Sequence, residues 1–339
     1  PVARATGEVE FHESEGRRLA VLPFPADGLV HVSLWIDAGS RDGTRPTLAT
    51  LAAELAAERG GDAVRAWVSP DGIELATEGE VSELAELFGR LGRALSTREV
   101  DPERMTSRIA ALERRSHRAA GDPLRVASEL SVRALLGEAA DGLFPLQSAE
   151  EDPPSSREVA RFLADHFGAA RTLTVVAGDV DRAAVRSTWA RASRFWPDAR
   201  LPRAERDGLD GRYATKLTID RAPAFAATAL VPSIEEALSA RSIFDAHGSR
   251  ATSFAYAVRG GALLTVVQEG ARGAQQRETL LHLVRAIDAA APNAQAPSWA
   301  TSPREAAHQV GLRWSTRSEV DSRRNALGVG AVVDGGRGD

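Results

Sequence analysis

Seven histidines, at positions 12, 31, 117, 166, 247, 282 and 308, are the side chains of this 339-residue chain best suited to shuttle protons or hold a metal. Their spacing argues against both uses. Zinc ligands on one helix face recur three to five residues apart, and no two of these histidines do. There is no Cys, which excludes disulfides, thiol catalysis and Cys-ligated zinc and fits either redox compartment. His31 alternates with apolar neighbours and reads as an outward strand residue. His117, among Arg114, Arg115 and Arg118, reads as part of a solvated helix face. Gly260-Gly261 and the glycines of 268–273 lack the strand–Gly–helix setting of a phosphate loop and read as turns. The stretch Pro46–Gly61 looks most organised, with Leu48, Leu51 and Leu55 at helical spacing. Its ionisable groups are Glu54, Glu58 and Arg59 alone, so it offers almost nothing to bind a metal or move a proton. Taken from the residues alone, the chain shows no catalytic constellation.

The elements that would position any site are clearer. Hydrophobic residues make up 43% of the chain and charged residues 26%, ordinary for a globular protein long enough for two domains. A net charge of -5 argues against nucleic acid as a partner. Lys216 is the single lysine, which with the alanine excess suggests codon bias and not phosphate recognition. No apolar run is long enough for a transmembrane helix. The start at Pro1 is one that signal-peptide removal would give.

Residues 8–12 and Arg18–Pro23 read as paired strands across Glu13–Gly16, and Val30–Ala38 as a half-buried strand. A helix over 46–59 follows, opened by Pro46 and stopped by Gly60-Gly61. Ser69-Pro-Asp-Gly72 marks a hairpin between Arg65–Val68 and Ile73–Glu78. Helices are predicted over Val81–Leu95, 102–120, Leu124–Leu136, 157–167 and 182–195, with a buried strand in Arg171–Asp181. The second half repeats this outline. Strands are predicted at Ala214–Ile219, Ala226–Val231, Ser253–Val258 and Ala262–Val267, and helices at Ser233–Ala246, Gln275–Ala290, Glu305–Trp314 and Glu319–Gly328. The pattern is α+β: two related domains, each a mostly antiparallel sheet with helices on one face. The first spans 1–197, 198–211 is a linker, and 212–339 is a shortened second domain.

Several pieces, in order, resemble the insulinase/pitrilysin zinc metallopeptidases, in the branch of the mitochondrial processing peptidase. They are Trp35-Ile-Asp-Ala-Gly-Ser40-Arg-Asp, then Gly60-Gly61 through Ala66 to Ser69-Pro-Asp71. Arg161–Gly168 with Leu173-Thr-Val-Val-Ala-Gly-Asp-Val-Asp181 follows, and Gly248-Ser-Arg250 with Phe254-Ala-Tyr256-Ala-Val closes the set. The resemblance implies a half-clamshell fold and a metal helix carrying His-x-x-Glu-His, the Glu serving as general base. Here that helix is 46–59. Thr50 and Glu54 stand at the two His positions and Ala53 at the base, and Glu113 is the nearest carboxylate on the helix that would carry the distant ligand.

The resemblance therefore implies a non-catalytic subunit with no metal of its own and no catalytic residue. It would pair with a homologous active peptidase that carries the zinc and close a chamber around a peptide or unfolded-protein substrate. Arg250 and Tyr256 match the pair that reaches the partner's substrate in trans. The alternatives are a scaffold with no part in proteolysis, and a self-paired dimer in place of the heterodimer. Relatives in bacteria are often exported, which implies the periplasm, with the cytoplasm as the alternative.

Overall fold

A computed structural model describes residues 9–136, 153–201, 217–218, 224–231, 234–246, 251–258, 261–270, 273–290, 304, 307, 308 and 310. They fall into two compact units. Unit 1 draws on Pro1–Ile109, Pro153–Arg206 and Ser298–Asp339, and unit 2 on Ala110–Asp152 and Asp207–Pro297.

Unit 1 is built on a six-stranded sheet. Its strands are β1 (Glu10–Ser14), β2 (Arg17–Pro23), β3 (Leu29–Ile36), β4 (Arg65–Val68), β5 (Ile73–Glu80) and β6 (Thr172–Gly178), in the order β1-β2-β6-β3-β5-β4. The β2–β6 pair is parallel and the others are antiparallel. The first hairpin turns two residues later than the sequence suggests. Glu15 and Gly16 both take positive φ, 53° and 73°, as a two-residue hairpin turn requires, so β1 runs on to Ser14.

Alternation along β3 sorts the sheet's two faces. Val30, Val32, Leu34 and Ile36 point one way, to the side where β3, β5 and β2 pack against helices α1 (Pro46–Gly60), α2 (Leu84–Leu95) and α6 (Arg182–Ser193). Trp189 of α6 is fully buried on this side, its indole donating to Thr174 Oγ1 at 3.0 Å. Helix α5 (Ser156–His166) packs on α1, opened by the expected capping box of Ser155 and Glu158. His31, Ser33 and Trp35 point the other way. Trp35 there meets Trp67 and His308, from a helical stretch that includes Arg304, Ala307 and His308.

Unit 2 holds a second sheet, in the order β7 (Leu217–Thr218), β8 (Ala224–Val231), β10 (Gly261–Glu269), β9 (Thr252–Val258), all antiparallel. Phe225, Ala227, Leu264 and Val266 face helices α7 (Ile234–Ala246) and α8 (Ala274–Ala290), which contribute Phe244, Leu283 and Ala286 to one core. The opposite face is covered by α4 (Pro123–Leu136), through Leu124 and Ala127 on Ala224, Ala226 and Val267. A buried hydroxyl chain continues that seam: Ser131 meets Thr228 at 2.7 Å, and Thr228 meets Thr265 at 2.9 Å. Small residues on α4 let it lie close to the strands, and the hydroxyls satisfy one another where water is excluded.

The units thus divide the chain at other places than 197 and 212. Helix α4 belongs with the second sheet, the segment from Ser298 belongs with the first, and α3 (Pro102–Ala120) runs across the Ile109–Ala110 boundary. The fold class is as expected: two α+β units on mostly antiparallel sheets. The expected helix at Glu319–Gly328 lies outside the described residues.

Candidate functional site

Helix α1 starts at Pro46, whose fixed φ suits the first turn, and stops at Gly61, whose φ of 112° breaks the helical path. Leu48, Leu51, Leu55 and five alanines bury its inner side. At the three positions where the resemblance puts metal chemistry, Ala53 is fully buried, and Thr50 and Glu54 are half-buried. The enclosed hydroxyl of Thr50 has no hydrogen-bond partner among the described residues. One turn on, Glu58 accepts from Arg104 at 3.1 Å and from Arg108 at 2.9 Å, so α3 neutralises it. A zinc ion needs three strong ligands converging while water keeps a fourth place. A hydroxyl, a methyl group and one carboxylate do not supply them, so α1 does not fit the metal. Among the described residues no group of three His, Asp or Glu side chains is placed to hold one.

The carboxylates downstream divide in an unexpected way. Glu113 is exposed on α3. Glu129 of α4, by contrast, is buried, 1% exposed, and accepts from Arg125 at 3.0 Å. Burial raises its pKa above the usual carboxylate range, and Arg125 pulls the other way.

Each described histidine has surroundings of its own. His12 stands edge-on to Trp189, and His117 is exposed on α3. His31 is 2% exposed and not outward. Its Nδ1 lies 3.1 Å from Glu78, and burial lowers its pKa. His166 lies 2.9 Å from the Arg171 guanidinium; burial, then that cation, hold its pKa down at about 4. It is therefore neutral at pH 7 and serves as an acceptor. Arg171 also donates to the Asp37 carbonyl, tying β6 to the end of β3.

Beside α1 lies the edge strand β4. One side of it pairs with β5, and no strand borders the other among the described residues. An unpaired edge presents backbone N–H and C=O groups to an extended chain. Here two motif pieces that are distant in sequence interlock. Ser40 N–H donates to the Ser69 carbonyl at 3.0 Å, Arg41 N–H to the Pro70 carbonyl at 3.1 Å, and Arg41 pairs with the buried Asp71 at 3.3 Å. Gly39 permits the approach, since a Cβ there would lie 2.2 Å from the Pro70 oxygen. Two residues before the Ser69–Gly72 turn β4 carries Trp67, 40% exposed, whose ring centre lies 5.7 Å from Trp35 and 4.9 Å from His308. His308 Nδ1 in turn lies 2.8 Å from Glu74.

This aromatic and acidic cluster has no counterpart in the sequence reading. The available signal was the phase of β3, which puts His31, Ser33 and Trp35 on one face. Of the two residues expected to act on substrate, Tyr256 stands in β9 opposite Leu263 of β10, and Arg250 lies outside the described residues.

No family model and no curated protein matches the sequence. Solved structures do. A protease from Helicobacter pylori superposes with a TM-score of 0.68 at 13% identity, covering 95% of this chain and 92% of its own. A peptidase M16 inactive domain from Pseudomonas fluorescens gives 0.66 at 12% identity, covering 91% and 87%. The first half of the periplasmic protease PqqL from Escherichia coli gives 0.57 at 13% identity, covering 84% and 73%. The chain has the insulinase-like fold of the M16-like peptidases.

Proposed function

We propose that this chain is a non-catalytic insulinase-like subunit that pairs with a homologous, zinc-bearing peptidase and forms part of its peptide-binding chamber. One observation carries the reading: in an insulinase-like fold, the helix that would hold the metal presents Thr50, Ala53 and Glu54, with Ala53 sealed in the core. The likeness to an inactive M16 domain supports it. The peptide would add as a strand to β4, where main-chain hydrogen bonds give affinity without demanding a sequence. Trp67 would supply an apolar anchor beside it. Arg250 and Tyr256 would reach the peptide held at the partner's zinc, where a guanidinium and a phenol stabilise charge developing on a carbonyl oxygen. The zinc would belong wholly to the partner. The likeness to a periplasmic protease supports an exported location.

The test is to purify the chain from its source under native conditions and identify what co-elutes. A homologue with an intact His-x-x-Glu-His motif, and peptidase activity that depends on that homologue's histidines, is the expected result. Stoichiometric zinc and peptide cleavage by this chain alone would overturn the proposal.

A further inference from the structure

Helix α8 buries Thr279, Leu283, Ala286 and Ala290 against its own sheet, yet its outer side is not simply polar. Leu281 and Val284 are exposed there at 48% and 49%. With Arg277 and Asp288, both exposed, they form the series 277, 281, 284, 288. That spacing of four, three and four is the heptad spacing of a helix-pairing seam, and all four lie within one narrow stripe. The groove beside Leu281, of about 620 Å³, is lined by Arg277, Glu278, Leu281, His282 and Arg285.

The order of the four residues is what points to an occupant. Place a two-fold axis across the helix midway between Leu281 and Val284. Leu281 then meets Val284 of a second copy, and Arg277 meets Asp288, each contact made twice. The flanking charges match as well, since the antiparallel arrangement brings Glu278 towards Arg285 of the other copy. A parallel pairing would instead oppose Arg277 to Arg277 and Asp288 to Asp288. The stripe is self-complementary in one orientation only, as an isologous contact must be.

We infer that α8 is an antiparallel self-association surface, by which two copies of this chain pair through Arg277, Leu281, Val284 and Asp288. A 17-residue helix pair covers less area than a stable dimer needs, so the pairing is weak and concentration-dependent. It does not depend on the proposed pairing with a zinc-bearing homologue.

Sedimentation velocity of the full chain from about 1 to about 500 μM tests it. The expected result is reversible dimerisation that weakens at least about tenfold in Arg277→Asp and in Asp288→Arg, each of which acts twice across the axis. The decisive sample is the mixture of these two variants. Each alone pairs like with like, but together both contacts become Asp against Arg, so the mixture dimerises as the unaltered chain does. The double variant, Arg277→Asp with Asp288→Arg, is restored for the same reason. Leu281→Glu abolishes pairing. All these positions are exposed, and circular dichroism confirms that the variants fold. A chain that stays monomeric throughout, a dimer indifferent to Arg277→Asp, or a mixture of the single variants that remains monomeric would each overturn the inference. So would a surface that binds only a different protein.

Discussion

Replacing Gly39 by Ala tests whether the contact between Gly39–Arg41 and the Ser69–Gly72 turn holds β4 beside α1. The added Cβ would lie 2.2 Å from the Pro70 oxygen, 2.4 Å from its carbon and 2.4 Å from the Ser69 oxygen. These are backbone atoms on both sides, so no side chain can swing away, and the two loops must part by more than about 1 Å. Parting sacrifices the Ser40–Ser69 and Arg41–Pro70 backbone bonds and stretches the Arg41–Asp71 pair. Two hydrogen bonds at about 1 kcal/mol each, plus the strain of the loop shift, give a loss of about 2–4 kcal/mol. Urea unfolding followed by tryptophan fluorescence reads this selectively, because the described tryptophans, Trp35, Trp67, Trp189 and Trp196, all lie in unit 1. With a slope of about 2 kcal/mol per molar, the midpoint falls by about 1–2 M. Gly89→Ala is the contrast. In α2 a Cβ there meets only the tip of Arg93 at 3.8 Å, so this change stabilises by about 0.5–1 kcal/mol. A Gly39→Ala loss below about 0.5 kcal/mol would show that the two loops yield freely and that the interlock does not hold β4.

The other predictions concern charge and function. The His166 pKa is about 4 in the folded chain against 6.5 when unexposed to these neighbours, so between those values the unfolded chain holds the extra proton. Stability of unit 1 therefore falls as pH drops from 6.5 towards 4, by about 3 kcal/mol before allowance for partial exposure and about 1–2 kcal/mol after it. In His166→Asn, where the amide oxygen still accepts from Arg171, urea midpoints measured against pH lose part of that slope; His31, lowered by burial, sustains the rest. Glu58→Ala frees Arg104 and Arg108, both partly solvated, and costs no more than about 1 kcal/mol in urea unfolding, diminishing with salt. In a reconstituted complex with the zinc-bearing subunit, Arg250→Ala and Tyr256→Ala lower kcat by about 10–100-fold while gel filtration shows assembly intact. Unchanged turnover in both would favour the scaffold reading.

The sequence revealed most of what is local in the fold. Helix α1 was legible because Pro46 and Gly60-Gly61 punctuate it, and β4–β5 because Ser69-Pro-Asp-Gly72 can do little except turn. Boundaries slipped where a special backbone conformation decided them, as at Glu15, a non-glycine residue with positive φ. The allegiance of α4 was hidden, because it meets its sheet through small residues, Ala127 and Ser131, beside Leu124, and is claimed only by the strands it meets, Ala224 and Ala226 among them. Partnerships across long separations were invisible for the same reason. Glu74 and His308 lie 234 residues apart, and nothing near either one announces the other. His31 was misplaced because period-two alternation says which residues share a face and not whether that face is covered. At the candidate site, Thr50, Ala53 and Glu54 of α1 could be read directly as residue types, whereas the interlock of Gly39 with Pro70 needed coordinates.

The most direct test of the central claim is a zinc and turnover measurement on this chain, alone and with any zinc-bearing homologue that co-purifies with it. The account predicts no stoichiometric zinc and no cleavage of an extended peptide by the chain alone, and activity in the pair that is abolished by replacing the partner's motif histidines. Zinc bound by the isolated chain, with cleavage that a chelator removes, would contradict it.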